Sequence, residues 1–159
     1  MKKLFAILLM LVMATALLTG CGDPVYDDFV NFLNVEMVDV NINYENITEE
    51  VGTWETLEDD AALSKSLSDV LLPLVNDSLA TLEGINPETE EVKALKAKYI
   101  KVMDAYKEGF EALLEGCETQ DEATINAANE SLEEGIVLLD EYNAALESLA
   151  EEHGAEIEY

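Results

Sequence analysis

VKALKAKYIKVMDAYKEGFEALLEGC, residues 92–117, places apolar side chains at Val92, Leu95, Tyr99, Val102, Tyr106, Phe110, Leu113 and Cys117. The steps are three or four residues throughout. That period lines one face of an α-helix, and strands do not produce it. Downstream, Gly116-Cys117-Glu118-Thr119 reads as a turn, and Thr119 with Glu122 forms a T-x-x-E capping box for a fourth helix. Ile125, Ala128, Leu132, Gly135, Leu139, Tyr142, Leu146, Leu149 and His153 keep the alternation there, Gly154 ends it, and the last five residues are expected to fray.

Upstream, Gly84-Ile85-Asn86-Pro87 closes one helix with glycine and opens the next with an Asn cap and a proline. The helix before it carries Leu63, Leu67, Val70, Leu71, Leu74, Leu79, Leu82 and Ile85, with Pro73 expected to kink it. Before that, Asp23-Pro24 caps a first helix with a seam of Tyr26, Val30, Leu33, Met37, Val40, Tyr44, Ile47, Val51 and Trp54. Asn41, Asn43 and Asn46 predict fraying or a bend near its middle. Four amphipathic helices, at about 24–55, 57–85, 87–117 and 120–153, predict an all-α, up-down-up-down antiparallel four-helix bundle. Residues 21–159 are read as its single domain.

The first twenty residues are different. Met1, Lys2 and Lys3 precede an apolar run from Leu4 to Leu18 broken only by Thr15. A basic start, an apolar core and small residues at the end describe a secretory signal peptide, here residues 1–20. The run falls short of the ~20 residues that span a bilayer. Leu18-Thr19-Gly20-Cys21 resembles the lipobox of bacterial lipoproteins. The resemblance implies diacylglyceryl transfer to the Cys21 thiol, cleavage between Gly20 and Cys21, and a membrane anchor at the extracytoplasmic face. Two or three acyl chains suffice for stable anchoring, since each buried methylene contributes about 0.8 kcal/mol. The bland alternative is an ordinary cleaved signal with an incidental Cys21.

Charge narrows the partners. The 159-residue chain carries 35 acids against 8 lysines, and processing at Cys21 would remove two of those lysines. Nucleic acid needs clustered cations and is excluded as a partner. Anionic headgroups repel such a body, so lipid rather than charge must hold it. The acidity itself is ordinarily a matter of solubility. A divalent-cation-binding role is the alternative, although no calcium-hand loop with the required offsets occurs. Lysines 93, 96, 98, 101 and 107 all lie on the third helix, whereas residues 120–153 hold ten acids and no base, which favours these helices as neighbours.

Catalytic chemistry is hard to find. His153 is the single histidine and sits where the helix dipole favours a cation. A zinc site or a paired Glu-x-x-His centre would need more, and no phosphate loop or nucleophile elbow occurs. No metal or other cofactor is expected beyond the diacylglyceryl group. Cys117, without an intrachain partner once Cys21 is lipidated, is expected to be buried and inert. Tyrosine placement is the one constellation worth following. Tyr44, Tyr99, Tyr106 and Tyr142 fall on apolar seams, Tyr44 and Tyr106 at similar heights and Tyr99 and Tyr142 within three turns, each bringing a hydroxyl that wants a partner. They are boundary tyrosines, or they line a candidate ligand pocket beside a gap opened by Pro73.

Beyond the lipobox, Tyr106-Lys107-Glu108-Gly109 with Ala123, Asn126, Ala127, Leu132, Gly135 and Leu139 is similar to helical hairpins in small lipoproteins of uncharacterised role. That resemblance implies no activity. The expected function is a non-enzymatic binding or interaction module of the cell envelope, its protein or wall partner unidentified. A carboxylate-based enzyme is the further alternative.

Overall fold

The computed structural model describes residues 13–15, 22–57 and 59–158. The lipobox residues Leu18, Thr19, Gly20 and Cys21 lie outside them, as does most of the expected signal segment.

The described chain is all-α apart from one short pairing. Helix α1 (Pro24–Asn31) continues through a π-turn at Phe32–Glu36 into α2 (Val38–Gly52), which ends in a 3₁₀ turn at Thr53–Thr56. These form the first rod. The second comprises α3 (Asp60–Ser66), a π-turn at Leu67–Leu71 and α4 (Leu72–Gly84). Helices α5 (Glu90–Thr119) and α6 (Glu122–His153) are unbroken. Strands β1 (Met13–Thr15) and β2 (Glu156–Glu158) pair antiparallel, with Ala14 opposite Ile157. The tail expected to fray therefore has a backbone partner.

The α5 seam is buried at each of its eight sequence-read positions. On the first rod the seam shifts. Phe29 and Phe32 are fully enclosed, while Val30 is only partly buried. The π-turn explains this: its i→i+5 pattern, with the Met37 amide donating to the Phe32 carbonyl at 2.9 Å, inserts one residue and rotates the face by about a quarter turn. The interruption falls here, upstream of the asparagines expected to cause it. Those asparagines are helical, and the Asn43 amide donates to Asp77 at 2.9 Å across to the second rod. Pro73 likewise sits just after the second π-turn, in the first turn of α4, where a helix tolerates the missing donor.

Two caps also differ from expectation. Asp121, not Thr119, caps α6, accepting from the Thr124 amide at 3.1 Å and its hydroxyl at 2.6 Å. Thr119 is the last residue of α5, and its hydroxyl donates to the Glu115 carbonyl instead. Thr89 rather than Asn86 precedes α5, which starts at Glu90. The Asn86 amide donates back to the Gly84 carbonyl.

Helices α5 and α6 form an antiparallel hairpin in very close contact. A Cβ at Gly109 would lie 2.6 Å from Leu132, at Gly116 2.6 Å from Ile125, and at Gly135 2.6 Å from the Tyr106 ring. Glycine at these three positions is a steric requirement of the approach. Trp54, whose indole N–H donates to the Ser66 hydroxyl at 3.0 Å, ties the first rod to the second.

Candidate functional site

Three places on the molecule hold polar groups in a built environment. The first is the end where the first rod begins. Gly22 has φ 121°, a left-handed conformation that suits glycine. Asp23 then caps α1, accepting from the amides of Val25 at 3.0 Å and Tyr26 at 3.3 Å. Its second carboxylate oxygen meets His153 Nδ1 at 2.7 Å, linking the start of α1 to the last turn of α6. The His153 contact, helped by the two backbone amides, outweighs desolvation and holds the Asp23 carboxyl below its ordinary range. His153 was read only against its own helix dipole; sequence spacing gives no sign of a partner 130 residues away.

Asp28, missed in the sequence, is buried at the same end. It accepts from the amides of Glu88 at 3.1 Å and Thr89 at 2.8 Å, and from the Thr89 hydroxyl at 2.6 Å. Burial alone would raise its pKa, but these bonds and Lys93 together lower it. The only hint in the sequence is the doubled acid Asp27-Asp28 on an otherwise apolar turn.

The second place is the aromatic seam. All four singled-out tyrosines come together. Tyr99 and Tyr142 meet edge to face with ring centroids 4.8 Å apart, and Tyr44 stacks on Tyr106 at 6.4 Å. The column continues from Tyr106 to Phe110 at 6.2 Å and from Phe110 to Trp54 at 6.1 Å. Burial pushes all four phenol pKa values up, and neighbouring phenols add to this at Tyr99 and Tyr106.

The third place is a groove of about 470 Å³ between the first and second rods. Asn46, Glu49, Glu50, Thr53, Asp69, Val70, Pro73 and Leu74 line it. A gap does open beside Pro73, but none of the four tyrosines borders it. Among the described residues, no three His, Cys, Asp or Glu side chains converge as a metal site requires. Cys117 is buried, and desolvation, with Asp60 nearby, raises its thiol pKa, so it is held as the unreactive thiol.

Lysine pairing across the hairpin is sparse. Lys98 reaches Glu141 at 3.9 Å, while Lys96 donates to the Ile85 carbonyl at 2.6 Å. No described helix is long and apolar enough to cross a membrane.

The stretch that precedes this helical body resembles the lipobox of bacterial lipoproteins. The chain belongs to the EMYY-motif containing lipoproteins, whose family profile matches residues 1–152. It carries Glu36-Met37 but no contiguous Glu-Met-Tyr-Tyr run. No curated protein and no solved structure matches it.

Proposed function

We propose that the processed chain, residues 21–159, is a non-enzymatic binding module held at the extracytoplasmic face by acyl chains on Cys21. The observation that carries this reading is the lipobox, Leu18 to Cys21, ending two residues before a capped helix. The four rods act as one up-down-up-down bundle. Contacts of Asp28 with Thr89, Asn43 with Asp77, Lys98 with Glu141 and Asp23 with His153 support that alternation of direction. A non-enzymatic role is favoured because the one histidine is engaged at a helix end by Asp23. No observation favours the cation-binding alternative.

Within this reading the seam of Tyr44, Tyr99, Tyr106 and Tyr142 is the interior ligand site, because it brings phenol oxygens into an otherwise apolar core. A panel of small amphiphiles in a thermal-shift assay checks it: a ligand that raises Tm for the parent but not for Tyr142→Phe supports the site. The anchor is tested by Cys21→Ser. The variant is expected in the soluble fraction after a carbonate wash; retention with the membrane overturns the reading.

A further inference from the structure

We infer that the outward face of the first rod lies on the bilayer that holds the anchor. This rests on Cys21 being the point of attachment. Among the described residues, three of the four large apolar side chains left in solvent stand on this rod: Val35 at 66%, Val38 at 42% and Ile42 at 47% exposure. They are spaced three and four residues apart. Val35 stays open even with Met13–Thr15 packed against the π-turn in the unprocessed chain.

Charge singles out the same face. From Asn31 to Asn46 the rod carries five asparagines and three acids, Glu36, Asp39 and Glu45, of which only Asp39 is exposed. The other rods present carboxylates outward: Asp69, Asp77 and Glu83 on the second, Asp104, Glu108 and Glu111 on α5, Glu133, Glu134 and Glu141 on α6. The fourth exposed aliphatic, Val137, stands among those α6 acids and is the scattered kind found on any surface.

Attachment leaves little choice of approach. Only Gly22 and Asp23 separate Cys21 from α1, so the first turn stays within roughly 10 Å of the acylated residue at ~3.5 Å per residue. Gly22, left-handed at φ 121°, gives the body a place to tilt. Anionic headgroups repel every face in proportion to its exposed carboxylates. The face that can come down is therefore the carboxylate-poor one, and Val35, Val38 and Ile42 then enter the boundary between headgroups and acyl chains.

The test uses the processed chain coupled through Cys21 to a maleimide lipid, in a Cys117→Ala background. The contact is thus examined whether or not cells acylate Cys21. The vesicles contain phosphatidylethanolamine and phosphatidylglycerol, with brominated acyl chains as quencher. A fluorescent amino acid replaces Val38 in one sample and Glu133 in another. Because an interfacial apolar face sinks ~5–10 Å, quenching at position 38 is expected to exceed that at 133 by at least about twofold. With Val35→Ser and Ile42→Ser added, the difference should vanish. Equal quenching at both positions, or stronger quenching at 133, overturns the inference. So does shielding at 38 that grows with surface density of protein and is insensitive to bromination, since a second copy would then cover the face.

Discussion

Helices α5 and α6 run for 30 and 32 residues without interruption, whereas each of the other two rods is broken by a π-turn. The contrast follows from what each half packs against. In the hairpin, Gly109 and Gly116 on α5 and Gly135 on α6 bring the two backbones close, so a regular heptad suffices. The first and second rods have no such close approach at their described glycines, since nothing lies within 4 Å of a Cβ at Gly52 or Gly84. They must seat Phe29 and Phe32 in one rod and accommodate Pro73 in the other, and each has a residue inserted into its helical ladder. Regularity comes from close approach; where bulky side chains intervene, the helix gives way locally. The same irregular half carries the groove and three of the four exposed large aliphatics among the described residues.

Adding a side chain where the hairpin is tightest should have the largest effect. Gly135→Val drives a branched side chain into the Tyr106 ring, and overpacking of this kind costs about 3 kcal/mol. At about 3 °C per kcal/mol for a domain of this size, Tm should fall by roughly 9 °C in calorimetry. An unchanged Tm would show that the hairpin is looser than its glycines imply.

Next is the joint between the halves. Asp28→Ala removes the acceptor for two amides and a hydroxyl at the start of α5, which should cost about 2 kcal/mol in urea titration. The native pKa of Asp28 is depressed, so its contribution is fully present above the ordinary value of 3.8. It is lost as pH falls through the lower native value. The parent should therefore lose stability in that acid window, and Asp28→Ala should lose less.

A glycine outside the hairpin should respond in the opposite sense. Nothing lies within 4 Å of a Cβ at Gly52, whose backbone is helical, so Gly52→Ala should gain about 0.4–1 kcal/mol. Destabilisation there would mean that the first rod is packed as tightly as α6. The smallest effect is expected from His153→Ala. Asp23 loses its strongest anionic stabiliser, and its pKa, followed by NMR, should rise toward 3.8. No shift would mean that the 2.7 Å contact is not kept in solution.

The hairpin was legible because its apolar residues obey one period from Val92 to Leu149, and all eight seam positions on α5 are buried. The first rod was less so. A π-turn leaves no periodic signature, so Val30 rather than Phe29 looked like the seam residue. The caps were misread for a related reason. Thr119 and Asn86 have suitable chemistry, but Asp121 and Thr89 stand where the backbone turns into the helix. At the candidate sites, helical rise puts Tyr44 level with Tyr106 and Tyr99 within three turns of Tyr142, and each pair is in ring contact. The partners of Asp23 and Asp28 depend on how rods dock, which no local spacing encodes.

Four of the chain's six phenols meet in the aromatic seam, where burial opposes their ionisation. A neutral ring held this way favours the folded state below pH 10 and loses that advantage as alkali climbs toward the elevated native values. Phenolate absorbance should therefore lag in mild base and then rise together with collapse of the circular-dichroism signal. The molecule carries its own optical indicator of opening, one that needs no label and reads the junction of three rods at once.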